Sequence, residues 1–166
     1  MLPASHDFSK VNRQGDQLNT SERVILLERS LHRAAEHIGD ITGPVMTRYY
    51  QRHPEAIAAF DTHALGNRGA LEGDMVERVL YCLMQLLESP GEIEMLLTGS
   101  VIHHNDTLQI PPTWFDELVK ATAAIIVETI PPENCAEIAV WEDLRNDLHK
   151  LIEESSHQVY VPANSQ

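Results

Sequence analysis

The stretch VIHHNDTLQIPPTW, residues 101–114, sets His103 and His104 side by side at the end of an apolar run, the second of them seven residues before Pro111. An imidazole can take or give a proton near neutral pH, and in its neutral form it offers a nitrogen lone pair to a transition metal. The spacing decides which of the two is aimed inward. Ile93, Leu96, Leu97, Val101 and His104 stand 11, 8, 7, 3 and 0 residues before the histidine, which is one face of a helix. His104 therefore points along the apolar stripe, whereas His103 is turned from it by about 100° and belongs at its edge. An inward imidazole of this kind is either a core residue with its hydrogen bonds met or a ligand.

The other reactive side chains are less suggestive. Cys82 and Cys135 lack CxxC spacing and are expected to be two buried, reduced thiols. A di-iron carboxylate centre in a helical bundle needs paired ExxH motifs, and only Glu154 and His157 have that spacing, close to the end of the chain. His32, His37 and His149 fall on mostly polar helix faces and are expected at the surface.

These residues need helices to position them. The first twenty residues are polar and aperiodic, the composition of an arm. Ser21 is expected to cap a helix whose inner face is Val24, Leu27, Leu31, Ala35 and Ile38, stopped at Gly39. Asp40 can cap a second helix through Val45, Met46, Tyr49 and Tyr50 to His53-Pro54, and the short PEAIAAF segment ends at Phe60. After a loop over 61–70, Leu71, Met75, Val79, Leu80, Leu83 and Leu87 predict a long amphipathic helix terminated by SPG at 89–91. Beyond the His104 helix, Pro111 and Pro112 suit a first turn, with Trp114, Leu118, Ala121, Ile125 and Ile126 following. Ile138, Trp141, Leu144, Leu148 and Ile152 form the last face. The reading is all-α: an arm at 1–20, one domain at 21–154 and a tail at 155–166. The architecture is an antiparallel bundle or helices crossing steeply around a pocket.

Composition narrows the partners. A chain of 166 residues with 43% hydrophobic residues can bury one core, and a formal net charge of −13 opposes nucleic acid or an anionic membrane. No stretch approaches the roughly 18 uninterrupted apolar residues of a membrane span, and MLPASHDFSK lacks the order of a secretory signal, so a soluble, cytoplasmic location is expected.

Two stretches carry a resemblance to a known family. RYYQRHPEAIAAFD, residues 48–61, resembles the segment of globins in which His-Pro-Glu or a close variant precedes a phenylalanine packed on the haem; VIHHNDTLQIPPTWFDELV resembles the segment running from the iron-binding histidine into the next helix, with a proline seven residues after the ligand. The resemblance covers roughly residues 21–154 and implies a globin-like fold of six to eight helices around haem b. It implies His104, not His103, as the axial iron ligand and Phe60 against the porphyrin. An apolar cavity of Phe60, Val79, Leu97, Val101 and Ile110 would hold the plate and exclude water. Arg78 or Arg68 would meet the propionates, and the bound ligand would be a diatomic gas, O2, NO or CO, in a sensor, carrier or NO-handling protein.

The distal side departs from the family pattern. No histidine or glutamine stands near the start of the helix over 71–87, and two registers compete: Met75 with Val79, or Glu72 with Val76. The second would drive Glu77 into the core, which is costly for an unpaired carboxylate, so Met75 is favoured. Family spacing puts Met46 at the second-helix position. A pocket with Met46 and Met75 offers bound oxygen no strong hydrogen-bond donor, and either affinity is modest or the Met75 sulfur itself ligates iron. Trp114 stands where a tyrosine supports the axial histidine in oxygen-activating relatives, which weakens the case for peroxidase or dioxygenase chemistry and leaves enzymatic action open. Any signalling or reductase output would pass through a separate partner or a homodimer interface. The competing expectation is a haem-free globin fold acting as a stress sensor or protein-interaction module.

Overall fold

Asn19 starts the first helix through a reciprocal cap. Its side chain accepts the Glu22 N–H at 3.0 Å while the Glu22 carboxylate accepts the Asn19 N–H at 2.8 Å. The expected cap, Ser21, lies inside the first turn instead, because three residues after it stands Val24, which has no acceptor to return. The computed structural model describes residues 18–159, and among them seven helices and no strand occur: α1 (Thr20–His37), α2 (Thr42–Arg52), α3 (Ala56–His63), α4 (Arg68–Gln85), α5 (Pro90–Asp106), α6 (Pro112–Val127) and α7 (Cys135–Val159). None is long and apolar enough to cross a membrane. The expected arm lies outside the described residues except at its last positions.

Local chemistry sets the breaks. Gly39, at φ +78°, ends α1 by sending its N–H to the Ala35 carbonyl at 3.0 Å. Asp40 then accepts the Thr42 N–H at 2.9 Å, and that bond holds its carboxyl below the usual value. Helix α2 stops at His53 because the residue before a proline is pushed out of the α region. Helix α3 runs three residues past the expected end at Phe60, and the left-handed pair Leu65 (φ 51°) and Gly66 (φ 87°) turns the chain into α4. Asn67 caps α4 by accepting the Ala70 N–H at 3.1 Å. The expected 61–70 loop thus shrinks to residues 64–67. The SPG segment opens α5 with Pro90 in its first turn, where a missing N–H costs nothing, and α4 has already ended at Gln85.

Helices α6 and α7 pack against each other at the centre; α6 carries α2 and α4 on its flanks, and α7 carries α1 and α5. Their buried stripes, Leu118, Val119, Ile125 and Ile126 against Trp141, Leu144, Leu148 and Ile152, form the heart of the core. Helix α1 faces it with Leu27, Ser30 and Ala34, so the expected stripe is rotated: Ala35 and Ile38 are exposed. The cause is Ser30, which satisfies its own hydroxyl on the Leu27 carbonyl at 2.8 Å and accepts the Trp141 indole N–H at 2.6 Å. Buried Glu137 anchors the same interface by a two-pronged pair with Arg33, at 2.6 and 3.2 Å.

Three other expectations change. Leu96 is 43% exposed, leaving Ile93, Leu97 and Val101 as the covered face of α5. Cys135 is exposed at the start of α7, while Cys82 is buried, and both are free thiols. The last helix continues through the first five residues of the expected tail, with Ser155 buried and donating to the Leu151 carbonyl at 2.7 Å.

Candidate ligand cleft

His104 sits in the last turn of α5, half-buried, with Nδ1 2.8 Å from the Ser100 carbonyl oxygen one turn earlier. A carbonyl can only accept, so Nδ1 carries the proton and Nε2 keeps its lone pair. Desolvation, the largest influence on the ring, lowers its pKa; the Ser100 bond opposes that shift, and the charges of His103, Arg78 and His63 add to it. The imidazole is therefore neutral at neutral pH. Phe115 backs it edge-on, with ring centroids 4.8 Å apart at 83°, an arrangement that adds about 0.5–1.5 kcal/mol beyond area burial.

The corner after His104 is built by the same residue. Its backbone carbonyl accepts the Ile110 N–H at 2.8 Å, with Gln109 in the left-handed region at φ 55°. This turn brings Leu108 and Ile110 to the wall of a cleft that opens beside His104. Helix α6 adds Trp114 and Phe115, α2 adds Tyr49, α3 adds Ala59, Phe60 and His63, and α4 adds Leu71 and Met75. The cavity volume is about 90 Å³, below the range of about 300–1,000 Å³ typical of small-molecule sites.

Phe60 is held in place by α2: the Tyr50 ring meets it at 90° and 5.8 Å and Tyr49 at 68° and 6.3 Å. The Tyr50 hydroxyl donates to Glu72 at 2.7 Å, Arg68 reaches Glu72 at 3.2 Å, and Arg68 also reaches Asp61 at 3.1 Å. Those bonds strap α2, α3 and α4 together and turn Glu72 away from the cleft. Met75 lies on the cleft wall and Glu77 is exposed, while Val76 and Val79 are both buried away from that wall.

The cleft brings together His104, Phe60, Met75, Ile110 and Trp114 from the residues singled out in the sequence. It does not reach Met46, Val79, Leu97 or Val101, which are buried in the core behind it under neighbouring side chains. Arg68 is committed to Asp61 and Glu72, while Arg78 is exposed with no ion-pair partner among the described residues and acts on His104 through its charge. His103 is exposed, its ring edge-on to His104 at 5.7 Å between centroids. His149, expected at the surface, is half-buried with Nδ1 2.9 Å from buried Asp116, which also holds Lys120 at 2.7 Å; a covered carboxylate requires such partners.

Sequence reasoning missed Tyr49, Ala59, His63, Leu71, Leu108 and Phe115 as wall residues. His63 had a signal: it lies three residues after Phe60, on the same face if the helix continues. Tyr49 is 3% exposed, and burial raises its phenol pKa.

No group of three or more His, Cys, Asp or Glu side chains that could hold a bare metal ion occurs among the described residues. One oriented imidazole above an apolar slot instead suits a metal whose remaining positions are filled by its own flat macrocycle, and the donor set and lining fit a haem in that sense. No protein-family model matches the chain, and no curated protein or solved structure shows significant similarity to it.

Proposed function

We propose that this chain is a cytoplasmic globin that holds haem b in the cleft between α3, α4 and the α5–α6 corner, and binds a diatomic gas as a sensor, carrier or NO-handling protein. One observation carries the reading: His104 spends its only N–H on the Ser100 carbonyl at 2.8 Å and faces an apolar cleft with a bare Nε2. Its Nε2 is not sealed away from water, so the lone pair is open to an incoming metal while the bond at Nδ1 sets the tautomer, as in metal-bound histidines. Two further features agree with the proposal: the break between α2 and α3 at His53-Pro54, and the placement of Phe60 on the wall.

The protein's own residues divide the work. His104 would hold the iron through Nε2, with the Ser100 carbonyl raising its basicity and Phe115 restricting its rotation. Phe60, Leu71, Met75, Ile110 and Trp114 line the cleft and would shield the haem from water. Arg78, near enough for its charge to act on His104, offers a cation to carboxylates at the rim. A bound haem would supply an iron able to take a diatomic gas reversibly.

Titrating the purified chain with haemin tests this. The wild type and His103→Ala are expected to develop a Soret band at one equivalent, and His104→Ala is expected to lose it. A chain that stays colourless, or a His104→Ala variant that binds like the wild type, overturns the proposal; the first outcome favours the haem-free interaction module.

A further inference from the structure

The cleft holds a second imidazole that the sequence did not single out. His63 is the last residue of α3, lines the same cleft as His104, and has no hydrogen-bond or ion-pair partner among the described residues. Its neighbours differ: Thr62 donates to the Ala58 carbonyl at 2.8 Å and Asp61 pairs with Arg68. His63 and His104 come from separate elements, α3 and α5, and line one cleft, with His63 near enough for its charge to act on His104.

The cleft offers few other atoms able to bond a transition metal. Tyr49 would have to ionise, and burial opposes that. The Met75 thioether is a soft donor, weaker towards ferric iron than an imidazole nitrogen. His63 is exposed, so its ring sheds hydration on turning inward, a cost that a bond to the metal must offset. Only Ala64 separates His63 from the left-handed residues Leu65 and Gly66, so no further helical turn follows it.

Resting on the haem reading above, we propose that His63 supplies the second axial nitrogen in the gas-free protein, so that an external ligand must displace an internal imidazole. The residue then sets ligand affinity. An internal ligand that occupies the iron nine times in ten lowers apparent affinity about tenfold, because only the remaining fraction is competent to bind.

The full chain reconstituted with haemin provides the test, with His63→Ala and Met75→Ala beside the wild type. Visible spectra and low-temperature electron paramagnetic resonance of the ferric forms are expected to show a low-spin, two-imidazole signature in the wild type and in Met75→Ala, and a high-spin signature in His63→Ala. Carbon monoxide affinity of ferrous His63→Ala is expected to rise about tenfold. A high-spin wild type overturns the proposal, as does a low-spin signature that survives His63→Ala; its loss in Met75→Ala instead assigns the position to the thioether. In each of those results haemin still binds, which leaves the haem reading standing, whereas a chain that takes up no haemin overturns both.

Discussion

Replacing Phe115 by leucine isolates how tightly the His104 ring is aimed. Leucine keeps an apolar side chain on the cleft wall but removes the ring edge packed 4.8 Å from the imidazole centroid at 83°. The Ser100 hydrogen bond at 2.8 Å survives, so His104 keeps its tautomer but gains rotational freedom about that bond. The aromatic contribution lost is about 0.5–1.5 kcal/mol. Ordering the freed imidazole on binding costs about 0.5–1.5 kcal/mol; taken at its middle, about 1 kcal/mol weakens haemin binding about fivefold, since 1.4 kcal/mol is a factor of ten. The apo chain should lose a similar amount of stability, which for a domain of this size lowers Tm by about 2–4 °C. Haemin titration followed in the Soret region gives the first quantity and calorimetry of the apo chain the second, with Trp114→Phe, at the adjacent position of α6, as a control. If Phe115→Leu melts lower yet binds haemin within a factor of two of the wild type, the ring edge does not position His104, and the Ser100 bond alone aims it.

Other consequences follow from the same geometry. Tyr50→Phe keeps the ring against Phe60 and removes one hydrogen bond to Glu72, which retains Arg68; urea denaturation should show a loss of about 1–2 kcal/mol with unchanged slope. Gln109→Gly relieves a non-glycine residue at φ 55° and is expected to raise stability by about 0.5–1 kcal/mol, measured in the same way. The pH dependence of the apo chain should carry a His104 component. Its folded pKa lies below the ordinary 6.5, so the unfolded chain binds the proton more readily; that stability is present above pH 6.5 and is lost as pH falls through the folded value. Melting His104→Gln beside the wild type between neutral and mildly acidic pH should show a shallower fall in the variant, and parallel curves would contradict the assignment.

Most of the helix order was legible locally, because the signals that start and stop a helix act within one turn. Gly39, His53-Pro54 and Pro112 each mark a boundary close to where the structure has it, since each acts on backbone torsions or on a single N–H group. The choice of His104 over His103 was equally local, as both the apolar spacing and the count from Pro111 select it. Where a competing local signal was overlooked, the reading slipped: Asn19 with Glu22 outbid Ser21, and α3 ran past Phe60 to carry His63 to the wall.

Which face of a helix meets which neighbour was not local. The α1 stripe of Val24, Leu31, Ala35 and Ile38 is as apolar as the one observed, yet Ser30 is the residue that Trp141 of α7 covers. Nothing within α6 or α7 alone reveals that Asp116 and His149 complete each other, and the same holds for Tyr50 of α2 and Glu72 of α4. Residue order by itself determined an all-helical chain and the single imidazole presented on an apolar face. Tertiary packing alone decided that Phe60, Met75, Ile110 and a second imidazole would surround it, because a cleft wall is assembled from side chains far apart in sequence whose meeting depends on how whole helices bury their surfaces against one another.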